Sequence, residues 1–173
     1  METAYYILDY YFSAVHWFFL FMVFTASIAV SMVIAKRRWT HSILISLFVT
    51  YIFFILLITL IVRTPASSPK AELIPFWSWY DVIVHHDLFH FKEILLNILL
   101  FVPVGLFFSL LFRIKTRIAF FIGFGLSAII ELSQLITCRG LFEWDDMLHN
   151  GLGCMIGAAL AGIVLRVWRL RRH

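Results

Sequence analysis

The sequence predicts an all-α fold, a polytopic integral membrane helical bundle with about five transmembrane helices. Of the 173 residues, 62% are hydrophobic and only 14% are charged, whereas a soluble domain is closer to half apolar and a quarter charged. The mean hydropathy is +0.95, and long apolar segments recur along the chain. This composition excludes an ordinary soluble domain, and we interpret residues 1–173 as a single transmembrane domain.

Five apolar segments have roughly the twenty residues that a helix needs to cross a bilayer. A long loop at 63–92, rich in proline, tryptophan, histidine and charge, separates the second from the third. The N-terminus lacks a basic n-region and a small-residue cleavage site, so we expect no cleaved signal peptide. The predicted spans are 12–35, 42–62, 94–112, 118–138 and 147–167.

The lysines and arginines are distributed unevenly between the two ends of these spans. Ten of the 14 lie at or after the C-terminal ends of the first, third and fifth spans, and four lie in the other connections. Because cytoplasmic segments are enriched in positive charge, this asymmetry predicts a multi-pass membrane protein with its N-terminus outside and its C-terminus in the cytoplasm. The same rule explains the net charge of +4, so we expect no nucleic-acid partner.

Polar residues recur at helical spacing on three of the segments. An ionisable group at the centre of a membrane helix costs about 2.5–3.5 kcal/mol on insertion scales, so Glu131 in particular is expected to have a function. All three stripes enter from the predicted outer side, which predicts an outward-facing polar pocket. The stripes are Ser127, Glu131, Gln134 and Cys138; Asp146, Asn150, Gly153 and Gly157; and His86, His90, Glu93 and Asn97, the last on a helix with Asp81 as its N-cap.

Structural roles are the alternative for each of these polar residues. Asn97, Gln134 and Asn150 are also the kind of residue that hydrogen-bonds between membrane helices. Glu131 is also placed to pair with Arg139 two turns further on. Arg139 itself has two alternative roles. Its planar guanidinium group is able to bind a phosphate, or it forms an ion pair with Glu143 or Asp145.

Three further patterns have simple readings. His86 and His90 are spaced i and i+4, with Glu93 one turn further on, and this spacing is compatible with a zinc site. A pair of exposed histidines at the membrane interface explains the pattern as well. We therefore predict no metal and no cofactor. The small residues Gly153, Gly157 and Ala161 predict close helix packing. A disulfide between Cys138 and Cys154 would require the fourth and fifth spans to abut, and we do not predict one.

Several motifs in order resemble those of the VanZ-like family of membrane proteins, over about residues 50–165. Two positions depart from the family pattern, since Glu72 stands where asparagine is usual and Glu143 where aspartate is usual. The motifs are E-L-I-P-F at 72–76; N-I-L-L-F-V-P-V-G at 97–105; S-x-x-x-E-x-x-Q at Ser127, Glu131 and Gln134; and D-x-x-D-x-x-x-N-x-x-G-x-x-x-G at Glu143, Asp146, Asn150, Gly153 and Gly157.

The resemblance implies a protein of the bacterial cell envelope, located in the bacterial cell membrane, that lowers susceptibility to teicoplanin or related lipoglycopeptides. In the first hypothesis, an outward-facing polar pocket binds membrane lipid, a lipid-linked wall precursor or the lipid tail of a lipoglycopeptide antibiotic. The residues expected to bind it are Asn97, Gln134, Arg139, Glu143 and Asn150.

Two other functions remain open. An enzyme would use Glu131 as general acid or base, with Asp146 assisting and Arg139 holding an anion; no motif suggests an activated nucleophile. A non-catalytic scaffold for wall-synthesis proteins would need these side chains only for structure. The sequence does not indicate whether the protein is a monomer or an oligomer.

Overall fold

The computed structural model describes residues 14–33 and 39–170 and confirms the predicted helical membrane fold. Four described helices are long and apolar enough to cross a membrane: Trp39–Ile61, Leu88–Phe112, Thr116–Thr137 and Trp144–Leu170. The elements are α1 (Ala14–Val33), α2 (Trp39–Leu56) with a π-helical turn at Leu57–Ile61, β1 (Lys70–Glu72), α3 (Trp77–Val84), α4 (Leu88–Phe112), α5 (Thr116–Thr137), β2 (Leu141–Glu143) and α6 (Trp144–Leu170).

The predicted first span coincides with α1 in its interior, while both of its ends lie outside the described residues. The chain divides into two compact units, one ending at Ile58 and one beginning at Thr59. In the first unit α1 packs against α2. The second unit contains α3 to α6 and both strands. A fifth transmembrane helix and a single domain both stay predictions.

Helix α6 packs closely against α4 because glycines remove the side chains between them. A Cβ atom added at Gly153 would collide with the carbonyl oxygen of Ile98, and one at Gly157 with that of Val102. Ala161 is fully buried. The structure thus confirms the predicted packing role of these small residues, which lets two helix backbones approach each other as membrane helices commonly do.

Helix α5 runs antiparallel to α6 along another face. Asn150 meets Ser127 near one end of this contact, and Cys154 meets Gly123 about one turn further along. Cys138 and Cys154 are both free thiols. The chain leaves α5 through Cys138, which has a positive φ of 54° and caps the helix, so Cys138 does not extend the polar face of α5.

The loop predicted at 63–92 contains two elements that its composition concealed. Strand β1 pairs in parallel with β2, with Glu72 opposite Glu143. Helix α3 has eight residues, and its exposed side chains include Tyr80 and Ile83. A helix this short has too few turns for a clear hydrophobic period, and a three-residue strand has no period to read.

The prediction that Asp81 caps the third span was wrong. The helix begins at Leu88, and the Asp87 side chain is its N-cap, accepting from the Phe89 N–H at 2.7 Å. Asp81 lies inside α3 instead, and His86 lies between the two helices with a φ of 54°. His90, Glu93 and Asn97 therefore share a helical face without His86, which removes the i, i+4 geometry on which a zinc pair depended.

Candidate functional site

The predicted polar residues come together at one end of the second unit. The start of α4, the last turns of α5, strand β2 and the first turns of α6 supply them. We call these residues the polar cluster: Asn97, Ser127, Glu131, Gln134, Glu143, Asp146 and Asn150.

Side-chain hydrogen bonds tie the cluster together across its elements. The Asn97 amide donates to the Asp146 carboxylate between α4 and α6. The Asn150 amide donates to the Ser127 hydroxyl at 2.7 Å between α6 and α5. Asn97 and Asn150 are thus interhelical hydrogen-bond donors, a role that leaves their predicted contact with a ligand untested.

Glu131 accepts a backbone hydrogen bond where an ion pair was an alternative. Its Oε2 atom lies 3.0 Å from the Glu143 N–H, and the Glu131 side chain is buried. The contact joins α5 to the end of β2. Burial of a carboxylate in a membrane protein requires such partners, because lipid offers none.

Arg139 binds backbone carbonyl groups at the start of the second unit rather than a carboxylate. Its Nη1 atom donates to the carbonyl oxygens of Leu60 and Ile61, at 2.9 Å each, and Gln134 donates to that of Thr59 at 3.1 Å. The last carbonyls of a helix have no partner within the helix and favour positive charge. The alternative pairing of Arg139 with Glu131 is therefore wrong, and its contact with a phosphate stays a prediction.

Arg63 is the cation that sequence reasoning missed. A Cβ atom added at Gly140 would lie 3.0 Å from Nη1 of Arg63 and 3.0 Å from the side chain of Gln134. The Arg63 guanidinium therefore lies beside the turn that carries Gly140. From this position Arg63 interacts electrostatically with the carboxylates of Glu93, Glu131 and Asp146. The sequence showed only a basic residue ending a span; the proximity depends on the turn at 138–143.

Asp145 and His149 were also not among the predicted site residues. Asp145 is fully buried and caps α3, accepting from the Phe76 N–H at 2.6 Å and from both the N–H and the hydroxyl of Ser78. His149 accepts from the Trp79 indole at 2.8 Å. The pattern D-D-x-x-H was visible, but its partners lie about 70 residues away in sequence.

Glu143 carries a proton more readily than an ordinary glutamate. Burial, assisted by the neighbouring carboxylates of Asp146 and Glu93, raises its pKa from 4.5 to about 8. Glu72, which lies opposite in the two-stranded sheet, acts in the same direction. A group with such a pKa is divided between its charged and neutral forms near neutral pH.

Glu143→Gln tests this electrostatic assignment. Between the ordinary pKa of 4.5 and the folded value of about 8, the folded protein retains a proton that the unfolded chain releases. The free energy of unfolding therefore falls as pH rises through this window. Glutamine does not titrate, so we expect a flatter dependence of the thermal midpoint on pH in detergent micelles. Identical pH profiles for the two proteins would contradict the assignment.

Two buried polar atoms of this region have no described hydrogen-bond partner. They are Oδ1 of Asn150 and Nδ1 of His149. Among residues 14–33 and 39–170, no three histidine, cysteine or acidic side chains are arranged to hold a metal ion. Two pairs of side chains within the cluster bond to each other, Asn97 with Asp146 and Asn150 with Ser127, and the predicted pocket stays a prediction.

The comparisons with known proteins give one result that bears on this arrangement. No curated protein matches the chain. No solved structure matches it either. The model of the VanZ/LLP1 family matches residues 42–165, well over half of the chain, and this range includes the whole polar cluster. The protein is therefore a member of the VanZ/LLP1 family.

Proposed function

We propose that this protein lowers the susceptibility of a bacterium to teicoplanin or related lipoglycopeptides, through binding of a lipid or lipid-linked envelope molecule at the polar cluster. The observation that carries the proposal is an excess of acceptors. Four carboxyl groups interact with one another there, those of Glu93, Glu131, Glu143 and Asp146, and Arg63 interacts with all of them except Glu143.

This excess favours a ligand that brings hydrogen-bond donors. Carboxylates accept hydrogen bonds strongly, and the unpartnered Oδ1 of Asn150 is a further acceptor. Hydroxyl groups of a sugar or an ammonium group would satisfy them. A lipid-linked wall precursor carries such groups next to an acyl chain, and the exposed apolar side chains of α3 provide adjacent surface for that chain.

The proposed orientation has the polar cluster facing outward and the C-terminus in the cytoplasm. Arg113, Lys115, Arg166 and Arg169 all lie at the other end of α4 to α6, as the positive-inside rule requires of a cytoplasmic end. Lys36, Arg37 and Arg38, with Arg171 and Arg172, lie outside the described residues. An outward-facing cluster would meet wall precursors and antibiotic on the side where both occur.

Teicoplanin susceptibility in a sensitive Gram-positive host tests the proposal. Expression of the wild type is expected to raise the inhibitory concentration, and Glu131→Gln or Asp146→Asn to remove the protection. Both substitutions keep the side-chain shape while removing the carboxylate. Equal amounts of each protein in the membrane must be established first, since loss of folding would mimic loss of function.

Asp81→Asn is the matched control, because it neutralises a carboxylate in α3 that lies outside the polar cluster. It is expected to retain protection. Equal protection by all variants would mean that the cluster is structural, as the scaffold hypothesis requires. No protection by the wild type would overturn the proposed link to the drug.

A second function, acid–base catalysis on a lipid-linked substrate, is favoured by the pKa of about 8 at Glu143. Such a group can both donate and accept a proton near neutral pH, next to the Glu131 carboxylate. Mass spectrometry of envelope lipids separates this enzyme from a binding protein. A modified lipid that appears with the wild type and not with Glu131→Gln would identify an enzyme, and unchanged lipids a binding protein.

A further inference from the structure

A cavity of about 730 Å³ lies at the end of the second unit away from the polar cluster. The C-terminal ends of α4 and α6 and the N-terminal end of α5 surround it. Four of its lining residues are cationic: Arg113, Lys115, Arg166 and Arg169. Among the described residues, no carboxylate lies within ion-pair distance of any of them, so their charge is available to a ligand.

Ser109 supplies a second, independent observation. The residue is only 3% exposed, it lines the same cavity, and its hydroxyl has no hydrogen-bond partner among the residues that the structure describes. A buried hydroxyl without a partner is costly, so it indicates a partner that the protein alone does not provide.

The start of α5 adds donors of the same kind. Thr116 lines the cavity, and the N-cap residue Lys115 makes no side-chain capping bond. The first amides of a helix point outward and favour an anion. Guanidinium groups, helix amides and a free hydroxyl together match the oxygens of a phosphate group.

We propose that this cavity binds a phosphate-bearing anion, presented as the headgroup of an anionic phospholipid. The lipid source is favoured by the surroundings, because Trp168, a residue that is 54% exposed, lines the cavity and tryptophan concentrates at headgroup level. Basic pockets between membrane helices commonly hold anionic headgroups. The proposal is independent of the polar cluster and of the proposed function.

The test uses the purified full-length protein in uncharged detergent micelles. Dioctanoyl phosphatidylglycerol is the probe, and dioctanoyl phosphatidylcholine and inorganic phosphate are the comparisons. At a concentration about a hundred times its Kd, the phosphatidylglycerol is expected to raise the thermal midpoint by at least about 5 °C. Phosphatidylcholine is expected to have little effect.

The double variant Arg113→Gln/Arg166→Gln is expected to weaken phosphatidylglycerol binding at least about tenfold. Lys70→Gln/Lys92→Gln removes the same charge from exposed positions outside the cavity and is expected to leave binding unchanged. Ser109→Ala, which keeps all four cations, is expected to weaken phosphatidylglycerol binding about fivefold through loss of one hydrogen bond. If the arginine variant does not fold, the serine variant alone tests the proposal.

A shift with inorganic phosphate that the arginine variant abolishes would support the site and identify free phosphate as its ligand. Equal shifts with phosphatidylglycerol and phosphatidylcholine would overturn the proposal. So would phosphatidylglycerol binding that survives both the arginine and the serine substitutions.

Discussion

Gly157→Ala is expected to lower the stability of the folded protein by about 3 kcal/mol, the upper end for overpacking of a core. The added methyl group would meet the carbonyl oxygen of Val102 and lie 2.7 Å from the backbone nitrogen of Leu106. Both are backbone atoms of α4, which cannot rotate away as a side chain can. Relief therefore requires α4 and α6 to separate, which loses contacts along both helices.

Gly125→Ala is the matched control, because a Cβ atom at Gly125 in α5 has nothing within 4 Å. Alanine is favoured over glycine within a helix by about 1 kcal/mol, so this variant is expected to match or exceed the wild type. Thermal unfolding in detergent micelles measures both. Equal midpoints for the two variants would show that the close approach of α4 and α6 does not limit stability.

Asp145→Ala is expected to cost about 3 kcal/mol or more, since hydrogen bonds to a charged group contribute about 1.5–3 kcal/mol each. The substitution leaves the N–H groups of Phe76 and Ser78 and the Ser78 hydroxyl without their acceptor. Ser78 is buried, so water does not readily replace the carboxylate. Helix α3 loses the acceptor of its N-terminal amides, and hydrogen exchange of its amides is expected to rise along with the loss of global stability.

Asp87→Ala provides the comparison, because it removes the cap of α4 at a more exposed position. An ordinary N-cap contributes about 1 kcal/mol, and the α4 helix is also held by its packing. We therefore expect a loss several times smaller than for Asp145→Ala. A loss of equal size would mean that Asp145 acts as an ordinary surface cap.

The sequence predicted the membrane fold and most of the polar cluster because both depend on local patterns. A run of about twenty apolar residues indicates a transmembrane helix whatever the other segments of the chain are. Helical spacing placed Glu131 and Gln134 on one face of α5, and Asp146 and Asn150 on one face of α6. Because α5 and α6 are consecutive helices joined by a short connection, they pack side by side, and their polar faces meet.

The missed features depend on contacts between distant segments. Asp145 and Asp146 are adjacent and chemically identical, yet one caps α3 and the other meets Asn97. Nothing in the sequence separates these roles, because they follow from successive side chains of a helix pointing about 100° apart. The contact of Arg139 with backbone carbonyl groups was not among the alternatives for a similar reason, since the sequence does not place those carbonyl groups near it.

The bonds between α5 and α6 have a consequence for biosynthesis. As α5 leaves the ribosome it carries Ser127 and Glu131 without their partners, and an ionisable residue within a membrane helix opposes insertion by the translocon. The backbone N–H of Glu143 and the amide of Asn150 arrive only with the following residues. We therefore expect α5 to wait at the translocon until α6 is synthesised, and the two helices to enter the bilayer as a hairpin.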